Sequence, residues 1–154
     1  MKALIQRVKK ANVYIENKLH SSIKKGLLIF LGVEESDEEK DIEYLVKKTS
    51  NLRIFENEDN KFDFSLKDVN GEVMVVSQFT LAGDCRKGNR PNFNKAAKPG
   101  KALKYYESFI NKLNEEKITV EKGIFGAKME VELINDGPVT IILDSKKKRN
   151  TYDN

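Results

Sequence analysis

The sequence is poor in the residues that most often build metal sites and covalent cross-links: it has one cysteine, one histidine and no tryptophan among 154 residues. Cys85 alone cannot form an intramolecular disulfide, which favours a reducing compartment. No apolar run reaches the roughly 18 residues that a membrane-spanning helix needs. The charged N-terminal residues are unlike a signal peptide. We therefore expect a cytoplasmic protein without a membrane partner.

The common catalytic and cofactor-binding patterns are also missing. His20 lies in a polar segment without a second histidine or cysteine nearby, so we expect it in a solvated turn and expect no metal site. A nucleophilic role for Cys85 would need a base that the neighbouring sequence does not offer. There is no Walker loop, and no glycine-rich dinucleotide fingerprint follows a strand. We expect no cofactor.

The charged residues are numerous but unevenly placed. The formal net charge is +4, and 34% of the residues are charged. Residues 85–106 contain seven lysines or arginines and no acid, whereas seven of the ten residues in 34–43 are acidic. The basic segment could face a polyanion such as a nucleic acid, although lysine-rich solvated faces are common and are the simpler interpretation. We interpret the acidic segment as the solvated face of a helix.

Hydrophobic spacing predicts three strands and a helix in the first third of the chain. Residues 2–9 and 11–16 indicate two strands with a turn or bend between them near 10–12, and the apolar run 26–33 indicates a central strand. Ser36 followed by Glu39 is typical of a capping box, with a helix continuing to about Arg53.

The remaining chain predicts a single α/β domain over residues 1–144. After a polar loop with a short hairpin comes a buried strand at 72–80, a long loop to residue 100 and a helix that begins at Pro99. Strands follow at 118–121, 128–134 and 138–143. The order β-β-β-α-β-α-β-β-β predicts a mixed, largely antiparallel sheet, in layers or a partial barrel, covered by two helices in a three-layer α/β/β arrangement. Residues 145–154 form a basic tail that we expect to be disordered.

Two short polar segments are candidates for a functional site. Ser77, Gln78 and Thr80 lie where the buried strand should emerge, although they could simply be satisfied polar groups at a strand end. Residues 135–140 read Asn-Asp-Gly-Pro-Val-Thr. A β-turn is the simplest explanation for Gly137-Pro138, but such a turn also offers rigid carbonyls that can approach a ligand closely.

Together, these segments resemble the D-aminoacyl-tRNA deacylases, also called D-tyrosyl-tRNA deacylases. Residues 77–80 match that family's Ser-Gln-x-Thr motif, and residues 135–140 match its Asn-x-Gly-Pro-[Val/Ile]-Thr motif. Asn92 stands where many relatives have serine. The likeness spans about residues 1–144, and further agreement comes from residues 5–8, 26–28, 32–33, 52–55 and 90–93.

The resemblance implies a homodimer that hydrolyses the ester between a D-amino acid and the 3′ end of tRNA, with no DNA partner. It implies a cis Gly137-Pro138 bond whose carbonyls exclude L-aminoacyl groups from the partner subunit's pocket. Arg7 would orient that motif, and Asn135 belongs to it. Phe79, Phe125 and Met129 would line the adenosine and aminoacyl pocket.

The resemblance leaves two views of the chemistry, within a catalytic segment formed by Ser77, Gln78, Phe79 and Thr80. In one view Thr80 is the nucleophile. In the other, main-chain groups and the 2′-hydroxyl of the RNA carry the reaction. The residues favour the second view, because Thr80 has no identifiable general base. Backbone N–H groups of Phe79 and Thr80 could instead stabilise the oxyanion.

The basic loop suggests how tRNA would be held. Arg86, Lys87 and Arg90 are candidates for contacts with phosphates of the acceptor stem. Two other functions remain open at this point. The chain could be a non-catalytic RNA-binding module of the same fold, or a hydrolase of free D-amino-acid esters or amides that does not contact RNA.

Overall fold

The computed structural model describes residues 1–147, and it confirms the predicted α/β class with two helices beside a mixed sheet. A short 3₁₀ turn, Phe79–Ala82, follows the sixth strand. The elements are β1 (Lys2–Ile15), β2 (Lys18–Ile23), β3 (Gly26–Gly32), α1 (Glu39–Asn51), β4 (Phe55–Glu56), β5 (Phe62–Phe64), β6 (Glu72–Ser77), α2 (Pro99–Glu115), β7 (Thr119–Lys122) and β8 (Glu130–Asp144).

The main sheet is organised around β1. Its strand order is β2-β1-β3-β6-β7, and β8 pairs with β1 along the other side. The pairs β3–β6 and β6–β7 are parallel, whereas every pair that includes β1 is antiparallel. The first half of β1 pairs with β3 and its second half with β2. This division lets the second half of the sheet fold over the first.

The prediction of two strands between residues 2 and 16 is wrong, because β1 is continuous. Lys9 and Lys10 interrupt the alternation of apolar and polar residues, close to the predicted turn or bend. In the structure both side chains are exposed, and the pairing with β8 shifts register on either side of Val8. The break in the pattern therefore marks bulges that bend a strand without ending it.

The two last predicted strands are likewise one strand, β8, with an interruption. Gln6 pairs with Thr140 and Val8 pairs with Asn135, so residues 136–139 of β8 stand opposite the single residue Arg7. These four residues leave the ladder and return to it. The expected turn is therefore present, but the chain resumes pairing with the same neighbour instead of reversing direction.

Two hydrophobic cores account for the layers. One core lies between the sheet and the two helices and includes Ile29, Val75, Phe109 and Leu113. As predicted, one stripe of α2 is buried, comprising Ala102, Tyr106, Phe109, Ile110 and Leu113. Each fully buried large side chain of this kind contributes about 1.5–3 kcal/mol. The second core lies between the folded halves of the sheet, where Met74 and Val76 pack against residues of β1 and β2.

The start of α1 and the acidic segment differ from the prediction. The capping box joins Glu38 and Asp41, not Ser36 and Glu39. Asp37 is buried, and its carboxylate accepts hydrogen bonds from the Met1 ammonium (2.6 Å) and the backbone N–H of Glu34 (2.6 Å). Because Asp37 turns inward to serve these donors, the helix begins two residues later. Asp37 and Asp41 are thus not part of a solvated face.

Two further predictions concern His20 and the tail. His20 is exposed as expected, but it lies in β2, a strand that the polar sequence did not indicate. Ser145, the first residue of the predicted tail, is buried and accepts a hydrogen bond from the Met1 ammonium (2.9 Å). Disorder therefore does not begin at residue 145. Residues 148–154 lie outside the described part of the chain, so the prediction for them stays a prediction.

Candidate active site

A cavity of about 700 Å³ opens where β6 ends. Its volume lies within the range of small-molecule sites, and its walls are mostly apolar. Ser77, Gln78 and Phe79 form one wall, and Phe125 and Met129 lie in the walls as well. The other lining residues are Val33, Val76, Phe93, Ala96, Ala97, Pro99, Ala102, Gly126, Ala127 and Val131.

The polar segment at the mouth of this pocket turns sharply. Gln78 ends the β-ladder, where its N–H donates to the Leu31 carbonyl at 2.8 Å, and the 3₁₀ turn begins at Phe79. The first N–H groups of a helical turn have no acceptor within the turn. Those of Phe79 and Thr80 can therefore donate hydrogen bonds to a ligand. The Gln78 amide donates to the Thr80 hydroxyl.

An aromatic pair marks the rim of the pocket. Phe79 is 55% exposed, and the edge of its ring contacts Phe93 with centroids 5.1 Å apart. Phe93 is not among the predicted site residues, although it belongs to the 90–93 segment that carried part of the family resemblance. Inside, Phe125 packs against Tyr106 with centroids 5.9 Å apart, which ties the pocket wall to α2.

The Gly-Pro turn is braced by its own strand. The Asn135 side chain accepts a hydrogen bond from Val139 N–H at 2.8 Å and donates to the Thr140 hydroxyl at 3.1 Å. Gly137 and Pro138 are exposed and are joined by a cis peptide bond. Gly137 has φ +146°, and a Cβ placed there would lie 2.7 Å from the Val139 nitrogen. Only glycine fits this position without a shift of the backbone.

Arg7 holds the turn from the other side. Its side chain is only 4% exposed. Nε donates to the Asp136 carbonyl at 2.9 Å and lies 3.6 Å from the Asp136 carboxylate. One terminal nitrogen donates to the Ile54 carbonyl at 2.7 Å, and the other donates to the Glu56 carboxylate at 3.3 Å. The guanidinium thus fixes the carbonyl that immediately precedes Gly137.

The structure does not bring all the predicted residues together within one chain. Ser77, Gln78, Phe79, Phe125 and Met129 share the pocket. Arg7 and Asp136 line a separate cavity of about 250 Å³, whose other walls come from Lys25 and the β4–β5 hairpin. The strand order places β8 three strands from β6, which corresponds to about 14 Å across the sheet. The turn is also displaced along the strands, because Arg7 is level with Leu27 whereas Ser77 is level with Leu31.

The basic loop is anchored beside the pocket. Asp84 and Asn92 form an isolated bridge immediately before Phe93, so residues 85–91 form an exposed tip. Arg86 donates several hydrogen bonds to the Asp84 carboxylate, and these hold the pKa of Asp84 well below its usual range. Within residues 1–147, Lys87 and Arg90 form no ion pair, so their charges are available at the tip.

Residues 1–147 contain no group of three or more His, Cys, Asp or Glu side chains arranged to hold a metal ion. Over the same residues, no helix is long and apolar enough to cross a bilayer.

Comparison with known proteins decides the family. The sequence profile of the D-Tyr-tRNA(Tyr) deacylase family matches residues 4–144. The chain belongs to this family. It is 56% identical to a D-aminoacyl-tRNA deacylase of Thermotoga petrophila over 96% of this chain and 99% of the relative. A D-aminoacyl-tRNA deacylase of Thermosipho africanus is 54% identical over the same shares of the two chains.

Solved structures share the fold. A protein described as c-Myc DNA Unwinding Element Binding Protein superposes with a TM-score of 0.88 and 40% identity, covering 94% of this chain and 98% of its own. A "probable eukaryotic D-amino acid tRNA deacylase" superposes with a TM-score of 0.79 at 15% identity, covering 92% of this chain and 97% of its own. The second likeness concerns the fold alone.

Tyr106, which packs against the pocket wall, makes the stability of the protein depend on pH. Its hydroxyl donates to the Val75 carbonyl at 3.0 Å, and burial raises its pKa above the usual value of 10. We expect Tyr106→Phe to lower the free energy of unfolding by about 1 kcal/mol at neutral pH. Above pH 10 the unfolded tyrosine ionises while the folded one stays neutral. The wild-type advantage should therefore shrink by up to about 1.4 kcal/mol per pH unit.

Urea titrations of both proteins between pH 7 and 11 measure this difference. A constant difference between wild type and variant across that range would contradict the assignment.

Proposed function

We propose that this protein hydrolyses the ester bond of D-aminoacyl-tRNA in the cytoplasm, releasing the D-amino acid and free tRNA. The observation that carries the proposal is family membership over nearly the whole chain, combined with the position of Ser77, Gln78 and Phe79 in the wall of a pocket. The exposed aromatic rim at Phe79 supports a single-stranded RNA end as the ligand, because unpaired bases stack on such rings.

We expect the purified protein to release tyrosine from D-Tyr-tRNA and to leave L-Tyr-tRNA intact. Release of the radiolabelled amino acid is measured for three substrates: D-Tyr-tRNA, L-Tyr-tRNA and D-tyrosine ethyl ester. The relative rates give the selectivity. Binding without release would indicate an RNA-binding module. Hydrolysis of the free ester at a rate equal to that of D-Tyr-tRNA would indicate a small-ester hydrolase. Binding to duplex DNA as tightly as to tRNA would contradict the choice of partner.

We further propose that catalysis depends on backbone N–H groups at Phe79 and Thr80, which stabilise the oxyanion formed during hydrolysis, and not on the Thr80 hydroxyl. The Thr80 hydroxyl accepts a hydrogen bond from the Gln78 amide, which is a donor and cannot act as a base. An aminoacyl ester is already reactive, so water attack assisted by one oxyanion donor, worth about 3 kcal/mol, supplies a simple route.

Replacing Thr80 by valine removes the hydroxyl and keeps the shape of the side chain. We expect single-turnover hydrolysis of D-Tyr-tRNA to fall by less than about tenfold, because the backbone donors remain. Gln78→Ala is the matched control for loss of the hydrogen bond at the same hydroxyl. A fall of several orders of magnitude in Thr80→Val alone, with substrate binding intact, would return the nucleophilic role to Thr80.

We propose that the active unit is a homodimer in which Gly137 and Pro138 of one subunit enter the pocket of the other. In a single chain the turn is too far from the pocket to meet a bound aminoacyl group. The same strand carries Ile142, which is 69% exposed and pairs with half-buried Leu4, itself opposite Phe30. This apolar strip beside the turn is the surface on which we expect a second copy to dock.

We expect Ile142→Glu to be monomeric and inactive on D-Tyr-tRNA, because a buried unpaired carboxylate opposes docking of the strip. Leu19→Glu introduces the same change at another exposed aliphatic residue, 58% exposed on β2, and should remain dimeric and active. Sedimentation equilibrium and the deacylation assay report the two properties. A fully active Ile142→Glu monomer would contradict the shared site.

The basic loop supports a phosphate contact outside the pocket. Lys87 and Arg90 are the proposed contacts, whereas we assign Arg86 a smaller share because Asp84 already neutralises it.

We expect Lys87→Gln and Arg90→Gln each to reduce the slope of log Kd against log salt concentration by about 1. Arg86→Gln, which removes a charge that is already paired, should change the slope less. Filter binding of uncharged tRNA between 50 and 300 mM salt, roughly the range over which phosphate contacts are felt, provides the measurement. Equal slopes for all three variants and the wild type would exclude this loop as the contact.

A further inference from the structure

The guanidinium that holds the Gly-Pro turn is itself held by a distant part of the chain. Two of its nitrogens donate to the segment that follows α1, namely to the Ile54 carbonyl and the Glu56 carboxylate. The Phe62 ring lies against the same guanidinium, with its centroid 5.6 Å from Cζ. Hence the β4–β5 hairpin contacts Arg7 from both of its strands, through Glu56 and Phe62. On the side of the turn, the hydrogen bond runs to the Asp136 carbonyl.

The hairpin is braced well enough to act as a support. Arg53 donates through Nε to the Asp63 carbonyl at 2.6 Å, and its terminal nitrogen pairs with the Asp63 carboxylate. Asn57 closes the hairpin, where it donates to Asp63 at 3.1 Å and its side-chain oxygen accepts from the N–H groups of Asp59 and Lys61. The hydrogen bonds from Asn57 and Arg53 lower the pKa of the Asp63 carboxylate.

Exposure separates Phe62 from an ordinary core residue. Phe62 is 53% exposed while the Arg7 side chain beneath it is only 4% exposed. The ring therefore covers a buried cation and buries little of its own surface. A core role would predict the opposite pattern, because a packing residue stabilises the fold by losing its own contact with water.

We propose that the β4–β5 hairpin determines the stereoselectivity of the Gly-Pro turn, with Phe62 and Glu56 as positioning residues that act through Arg7. This inference rests on the proposed function. Phe62 holds the plane of the guanidinium, and Glu56 holds one of its terminal nitrogens. Rotation of that plane would release the Asp136 carbonyl, and the peptide that leads into Gly137 would lose its fixed orientation. A turn free to reorient excludes an L-aminoacyl group less strictly.

The test compares wild type with Phe62→Leu, which keeps an apolar side chain but removes the aromatic face. We expect the ratio of kcat/KM for D-Tyr-tRNA to that for L-Tyr-tRNA to fall on the order of tenfold, mainly because hydrolysis of the L substrate rises. Glu56→Gln should lower the same ratio by a smaller factor. Partial unfolding lowers both rates together and leaves the ratio unchanged, so the ratio separates positioning from stability.

Two variants serve as controls. Phe64→Leu makes the same substitution on the same hairpin, at a ring that is 41% exposed and pairs with Phe55, and it should leave the ratio unchanged. Phe62→Tyr restores an aromatic face and should restore selectivity. If Phe62 acts through Arg7, Phe62→Leu should add nothing in an Arg7→Gln background.

An unchanged ratio in Phe62→Leu, together with a lowered ratio in Arg7→Gln, would overturn the role of the hairpin and leave the proposed function intact. An equal rise in the hydrolysis of L-Tyr-tRNA in Phe62→Leu and Phe64→Leu would also overturn the role of the hairpin. A wild-type protein that hydrolyses both substrates equally, or neither, would overturn the proposed function and this inference with it.

Discussion

The architecture of the candidate site depends on one buried cation. Arg7 lies in the middle of β1, and its side chain must find acceptors because an unpaired guanidinium away from water is costly. One acceptor is a carbonyl of β8, the strand that pairs with β1. It is positioned by residues 136–139, which leave the ladder opposite Arg7. The other acceptors come from the segment after α1. A single side chain thus links the strand that carries the Gly-Pro turn to a hairpin more than seventy residues away in sequence.

The same strand explains why pocket and turn are separated. β1 pairs with β8 along most of its length and with β3 and then β2 along its other side, so it belongs to both folded halves of the sheet. The pocket forms at the end of β6, two strands away from β1, and is closed by α2 and the 125–131 segment. The turn forms on β8, beyond β1. Because both positions follow from strand order, the turn and the pocket lie on different strands of one chain.

Much of this fold could be predicted from the sequence, and the failures share a cause. Local signals were reliable where hydrophobic period and capping agree, as for the buried stripe of α2 and its start at Pro99. They failed where contacts with residues distant in sequence determine the local structure. The break in the pattern near residues 10–12 suggested the end of one strand, because a bulge and a turn interrupt the alternation of apolar and polar residues in the same way. Asp37 looked like a solvated acid because the ammonium that it binds lies 36 positions away. The site motifs were recognisable, but Phe62 was not, since its role depends on a tertiary contact with Arg7.

Under the proposed function, selection and chemistry depend on different parts of the molecule. Mirror-image substrates have the same functional groups, so a site distinguishes them by where atoms cannot go, and exclusion requires a wall that does not yield. Main-chain carbonyls in a turn braced by Asn135 and Arg7 provide such a wall, because they lack the rotamer freedom of side chains. An aminoacyl ester is already reactive, so its hydrolysis needs only a positioned water and an oxyanion donor. Under the proposal, the segment at the end of β6 supplies that donor. Substitutions of Arg7, of residues 135–139 and of the hairpin should therefore alter the preference between substrates, while substitutions around β6 and α2 should alter the rate on both.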